Sequence, residues 1–130
     1  MISLKAQYGL RAMVALTAKY NKGTMQAKEI AASQDVPVRY LELLLSQLRR
    51  ARLVEATRGK KGGYQLSKKP SSITVLDVIW AFEGSVLFMN TGKSGKDPFV
   101  SVWENGEKTI QKYFKSIKLT DLVGKLSKRK

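Results

Sequence analysis

The chain of 130 residues contains neither cysteine nor histidine. The first absence removes disulfides, thiolate zinc sites and cysteine-held iron–sulfur clusters. The second removes imidazole metal sites, serine–histidine and cysteine–histidine nucleophilic chemistry, and a histidine pH switch. Acids are also scarce. Ten Asp and Glu stand against 24 Lys and Arg, and the ten form no evident pair for carboxylate catalysis. An enzyme is not expected, and neither is a cofactor. No apolar run approaches the roughly 18 residues that suggest a membrane span. The opening "MISLKAQYGLRAMVAL" lacks a signal-peptide layout. A soluble cytoplasmic protein with no membrane partner is the expectation.

What remains is charge on a globular frame. The chain is 43% hydrophobic and 26% charged, a balance that supports a packed core rather than disorder. The formal net charge is +14 and the pI about 10.2. A surplus of that size on one small domain attracts polyanions through its long-range field. Nucleic acid is the leading partner. An anionic membrane surface would call for a continuous, lysine-faced amphipathic helix, and none is evident.

The periodicity predicts a mainly α protein with a small β-hairpin. Ser3 caps a first helix to about Tyr20, with Leu4, Tyr8, Ala12, Ala15 and Leu16 on its apolar stripe. "NKGT" ends it, and Thr24 is placed to cap a short second helix over about 26–33. "QDVP" breaks the chain, with Asp35 where a left-handed residue is needed. A third helix covers about Val38–Ala51. At 100° per residue, Leu44, Leu45 and Leu48 fall within about 60° of Leu41 and form one apolar stripe. Arg39, Leu43, Ser46 and Arg50 fall opposite, with Tyr40, Glu42, Gln47 and Arg49 flanking.

A hairpin follows: strand 53–58, tip 59–63, return strand 64–66. "TRGKKGGYQL" puts Arg58, Lys60 and Lys61 among three glycines at that tip. The glycines admit the positive φ of a tight turn. "SSITVLDVIWAFEG" is a further short helix, capped by Thr74 with Asp77 at N3 and stopped by Gly84. A longer helix runs from Phe99 to about Ile117, with Phe99, Trp103, Ile110, Phe114 and Ile117 on one stripe that Gly106 interrupts. Thr120 is the expected cap of a last short helix before a basic tail.

Helix, turn, helix and a glycine-tipped hairpin is the order of a winged helix-turn-helix. The expected division is 1–84 as the DNA-binding domain, 85–98 as a loop and candidate effector region, and 99–130 as dimerisation helix, short helix and tail. Helix three then enters a major groove of double-stranded DNA, N-terminal turns first. Its expected contacts are Arg39, Tyr40, Glu42, Leu43, Ser46, Gln47 and Arg50. A carboxylate facing DNA is penalised by phosphates unless it accepts from a cytosine amino group, so Glu42 points to base reading. Leu43 suits a thymine methyl. The plain alternatives are a solvated Glu42, or one paired with Arg39 or Arg49, and a chance surface leucine. The thin cationic tip, with Arg58, Lys60 and Lys61, suits a minor groove, although its glycines also serve a solvated turn. Phe99, Trp103, Gly106, Ile110, Phe114 and Ile117 are read as a homodimer face. The alternative is a small-molecule pocket formed with Trp80 and Phe82, which leaves a small-molecule or protein effector open.

The stretches "LKAQYGLRAMVALTA", "KEIAASQDVPVRYLELLLSQLRRARLV", "TRGKKGGYQL" and "ITVLDVIWAFEG" resemble the Rrf-two family of bacterial transcription regulators. The resemblance covers residues 1–84 well and extends thinly to Trp103 and "LTDLV" at 119–123. It implies a homodimer whose long C-terminal helices cross, palindromic operators, and usually repression. By matching positions it implies major-groove contacts from Arg39, Tyr40 and Glu42, and a minor-groove wing arginine at Arg58. Many members hold an iron–sulfur cluster through three cysteines in the stretch equivalent to about 85–98. This chain has none, so a cluster of that type is excluded. At the tip, Lys60 and Lys61 stand where the family often has Pro-Gly, which should raise non-specific affinity.

Overall fold

The computed structural model describes residues 2–84 and 98–127. In chain order these form α1 (Leu4–Ala18), α2 (Ala27–Gln34), α3 (Val38–Arg50), β1 (Val54–Thr57), β2 (Gly63–Leu66), a 3-10 turn (Pro70–Ser72), α4 (Val75–Glu83), α5 (Val100–Lys115) and α6 (Leu119–Ser127). The mainly α architecture with one antiparallel hairpin is as the sequence predicts. Of the expected loop 85–98, only Pro98 lies within the described residues.

α1 is the central post. The Ser3 hydroxyl accepts from the Ala6 amide at 3.2 Å and caps it. α2, α3, α4 and α6 all pack around it. Ala6, Gly9, Ala12, Met13, Val14, Ala15 and Leu16 are consequently buried over most of its circumference. A helix enclosed on so many sides has no single apolar stripe. That is why the expected stripe is only partly right: Leu4 is 62% exposed, whereas Met13 and Val14 are in the core.

The turn between α2 and α3 follows the sequence closely. Asp35 takes the left-handed conformation, φ 55° and ψ 50°. The Val36 amide returns to the Ala31 carbonyl at 3.0 Å. On α3, Leu41, Leu44, Leu45 and Leu48 are all buried. Each buried leucine stabilises the fold by about 1.5–3 kcal/mol, so this stripe fixes which face α3 turns to solvent.

Two expected caps are displaced. Thr24 does not cap α2; its hydroxyl donates to the Lys61 carbonyl at 3.0 Å. The cap position belongs to Gln26, whose amide donates to the Glu29 carboxylate at 3.2 Å. The reason is tertiary. Met25 is extended and pairs with Tyr64 across the hairpin, through amide-to-carbonyl bonds of 2.9 and 2.7 Å. The chain before α2 is thereby drawn into the sheet. Likewise α6 begins at Leu119, one residue before Thr120. Asp121 accepts from the Lys118 amide at 2.9 Å and does the capping. Thr74 and Asp77 form the expected reciprocal pair at the start of α4, with bonds of 2.9 and 3.1 Å.

The C-terminal helices fold back on the rest. Leu119 is fully buried in the main core. Leu119 donates to the Ile73 carbonyl at 3.0 Å and Val75 to that of Ile117 at 2.9 Å. A second apolar cluster centres on Val75, Leu76 and Ile79 of α4, with Ile2, Leu10, Ile110, Phe114, Ile117 and Leu122 packed against it.

Candidate nucleic-acid interface

The exposed side of α3 carries Arg39, Glu42, Leu43, Ser46 and Arg50. Leu43 is 65% exposed, more than any other apolar residue of this helix, Val38 following at 40%. Leu44 and Leu45, its neighbours, are fully buried. An apolar side chain held in water beside a complete core is placed by the register of the helix, and its own burial contributes nothing to the fold.

Tyr40 and Gln47 are half-buried. Tyr40 packs edge-on against Tyr8 of α1, with ring centroids 5.9 Å apart and planes at 87°. That contact positions the ring and ties the start of α3 to α1. Tyr40, Leu43, Ser46, Gln47 and Arg50 line an open hollow of about 250 Å³, together with Lys5 of α1. Lys5 was not among the residues singled out from the sequence. Its only local sign is that it lies three residues before Tyr8, on the side of α1 that meets Tyr40.

The second cationic element is the hairpin. Val54 pairs with Leu66, Glu55 with Gln65, Ala56 with Tyr64 and Thr57 with Gly63. Leu53, Val54 and Leu66 anchor it in the core, whereas Thr57, Arg58, Gly59, Lys60 and Lys61 are exposed. Arg58, Lys60 and Lys61 therefore sit together on a tip clamped at its root by Met25 and at its side by Thr24. The glycines serve this clamp. A Cβ on Gly62 would lie 2.2 Å from the Thr57 carbonyl oxygen, and one on Gly63 would lie 2.6 Å from that of Met25. Gly63 also has φ 152°. Gly59, with φ 104°, has open space where a side chain would go. Two of the three glycines are thus required by contacts inside the chain.

The residues read as a dimer face separate into two groups. Phe99 is 61% and Trp103 36% exposed, and Gly106 is exposed with nothing near the position of an added Cβ. Ile110, Phe114 and Ile117 are half-buried against α4 of their own chain. The expected single stripe is divided because Val75, Leu76 and Ile79 of α4 take up its C-terminal part, Ile110, Phe114 and Ile117, and leave Phe99 and Trp103 exposed. Val102, at 54%, and Tyr113, at 62%, add to the exposed apolar surface of this helix. Trp80 is 45% exposed on α4, while Phe82 packs onto α1, its ring filling the space beside Gly9.

Among the described residues one titratable group is clearly shifted. Hydrogen bonding from Ser3, whose amide reaches the carboxylate at 2.9 Å, holds Glu83 below the usual carboxylate range, with the Lys5 charge a smaller contribution. The end of α4 is thereby tied to the start of α1.

A family model described as "Rrf2: Iron-dependent Transcriptional regulator" matches residues 2–125. The chain belongs to the Rrf2 family. It is 34% identical over 122 residues to the HTH-type transcriptional regulator CymR of Bacillus subtilis, covering 94% of this chain and 88% of that protein. It is also 34% identical over 134 residues to IscR of Cereibacter sphaeroides, covering 94% and 86%. The solved structure of B. subtilis CymR, a global cysteine regulator, superposes with a TM-score of 0.85 at 33% identity, covering 95% of this chain and 96% of that one. That of T. potens IscR gives 0.81 at 37%, covering 96% and 87%. The fold is therefore that of the Rrf2 winged-helix regulators, and the protein is a transcriptional regulator, not an enzyme. The family description mentions iron, but the donor set here does not fit an iron centre of the thiolate or imidazole kind, since the chain has no cysteine or histidine. Among the described residues no three acidic side chains gather to hold a metal either. No helix among them is long and apolar enough to cross a membrane.

Proposed function

We propose that this Rrf2 regulator is a sequence-specific DNA-binding protein, acting in the cytoplasm as a homodimer on a palindromic operator and repressing transcription without a cluster. The observation that carries the reading is the exposed face of α3, on which one acid, Glu42, and one leucine, Leu43, stand beside Arg39. Cationic surface alone accounts for attraction to DNA. It gives no reason to hold a carboxylate and a bare leucine towards it. Base edges do: a cytosine amino group donates to a carboxylate, a thymine methyl packs on an apolar side chain, and guanine takes two donors from arginine. Ser46 and Gln47 extend the same contact along the helix, and Arg50 faces the DNA at its C-terminal end.

Arg58, Lys60 and Lys61 are the wing contacts to the flanking minor groove, where negative potential is greatest when the groove is narrow. The exposed apolar surface of α5, with Phe99, Trp103 and Gly106, is the face for the second subunit, extended at its edge by Ile110, Phe114 and Ile117. A small-molecule or protein effector would act through residues 85–98, of which 85–97 lie outside the described residues. Two subunits then place their α3 helices in successive major grooves, about 34–36 Å apart.

The test is a Glu42→Ala variant, assayed on a duplex selected from random DNA by the wild-type protein and on each single-base change of it. Base reading predicts lost discrimination at one position per half-site, amounting to about 1–3 kcal/mol. If every duplex responds alike, the protein is an architectural binder that uses charge alone.

A further inference from the structure

Lys5 is absent from the DNA contacts proposed above, yet it borders the hollow beside α3. The six residues lining that hollow are Lys5, Tyr40, Leu43, Ser46, Gln47 and Arg50. Two are cations, three carry neutral hydrogen-bonding groups, and none is an acid. Lys5, Ser46 and Arg50 are exposed, and the hollow is open to solvent. The acid that feels the Lys5 charge is Glu83, whose carboxylate already accepts from the Ser3 amide. An open, acid-free recess with a cation from each of two helices is chemically suited to an anion with several acceptor oxygens.

Helix geometry says which part of DNA meets it. Arg39, Leu43, Ser46 and Arg50 share one face of α3. From Arg39 to Arg50 is eleven residues, about 16 Å along the axis. The major groove of B-DNA is about 12 Å wide. A helix whose first turns reach the bases therefore carries its last turn beyond the groove and onto the wall. The anion available there is the phosphodiester backbone. Tyr40, Leu43, Gln47 and Arg50 recur at spacings of three, four and three, so they form one line along α3, and Lys5 closes that line from α1. The Tyr8–Tyr40 contact fixes the two helices against each other at this point.

We infer that Lys5 of α1 and Arg50 of α3 form a two-helix seat for the DNA backbone at the edge of the major groove, a contact that adds affinity without reading a base. This rests on the DNA-binding reading above. It adds a backbone contact from a helix outside the helix-turn-helix pair and gives the C-terminal end of α3 a backbone-binding role distinct from base reading.

The experiment measures binding of Lys5→Gln to the wild-type-selected duplex between 0.05 and 0.3 M salt. Lys112→Gln serves as a control of equal charge on exposed α5, and circular dichroism confirms the fold. Loss of one phosphate contact in each subunit lowers the slope of log K against log salt by about 1.8 for the dimer and weakens its binding about 60-fold at 0.1 M salt. The ranking of base substitutions should be unchanged. Lys5→Arg should restore the slope, and Lys112→Gln should leave it near the wild-type value. An unaltered slope in Lys5→Gln, or equal losses in Lys5→Gln and Lys112→Gln, overturns the seat and leaves the base-reading proposal standing. Loss of base discrimination in Lys5→Gln also overturns it, because the residue would then act on reading. Failure of the wild-type protein to select any duplex removes both.

Discussion

A single residue on α3 can be judged by what its neighbours do. Leu43 lies between Glu42 and Leu44, and only Leu44 is in the core. The same test applies at the wing. Arg58 is exposed at the base of a tip whose hydrogen bonds are made by backbone atoms and Thr24. Its guanidinium is not needed to close the hairpin, so its substitution should leave the fold intact. Arg58→Ala is expected to weaken binding most on duplexes with A·T-rich flanks, because a narrow minor groove concentrates negative potential. Titration against matched A·T-rich and G·C-rich flanks checks this, and equal losses on both would count against minor-groove reading. The residues of α3 were legible in the sequence because period 3.6 fixes inside and outside once four leucines define the inside. Lys5 was not, since nothing in α1 says which neighbouring helix leaves a hollow beside it.

Elements were legible wherever local chemistry decides them. The Ser3 cap, the left-handed Asp35, the Thr74–Asp77 pair and the hairpin all follow from residues a few positions apart. The failures at Thr24 and Thr120 share one cause: a distant element competes for the same backbone. Met25 pairs with Tyr64, and Leu119 with Ile73, across separations that propensity does not register. Leu119 itself lies in the main core. The wing consequently behaves as a part of the core, clamped by Met25. Gly63→Ala tests that. Its φ of 152° and the 2.6 Å approach to the Met25 carbonyl oxygen leave no room for a methyl group. We expect a fall in thermal stability of about 1–3 kcal/mol, as for other strained backbone positions, with a larger loss of DNA affinity than Gly59→Ala gives. Thermal unfolding followed by circular dichroism measures the first effect. An unchanged Tm would mean that the wing is not held as described.

At the scale of the whole molecule, three features sit on one frame: an α3 face with mixed chemistry, a cationic wing, and an apolar α5 surface with Phe99, Val102 and Trp103 exposed. α1 links them, since it packs against α3, α4 and β2. The charge of +14 explains attraction to a polyanion of any sequence. Membership of the Rrf2 family establishes a transcriptional regulator. Neither says that this chain distinguishes one duplex from another, and that is the central claim. The most direct measurement is repeated selection of bound fragments from random duplex DNA by the wild-type protein at 0.15 M salt. The account predicts enrichment of a two-fold symmetric sequence whose half-sites lie about 10 base pairs apart, centre to centre. Recovery of a pool with no shared sequence, bound as tightly as the starting DNA, would contradict it.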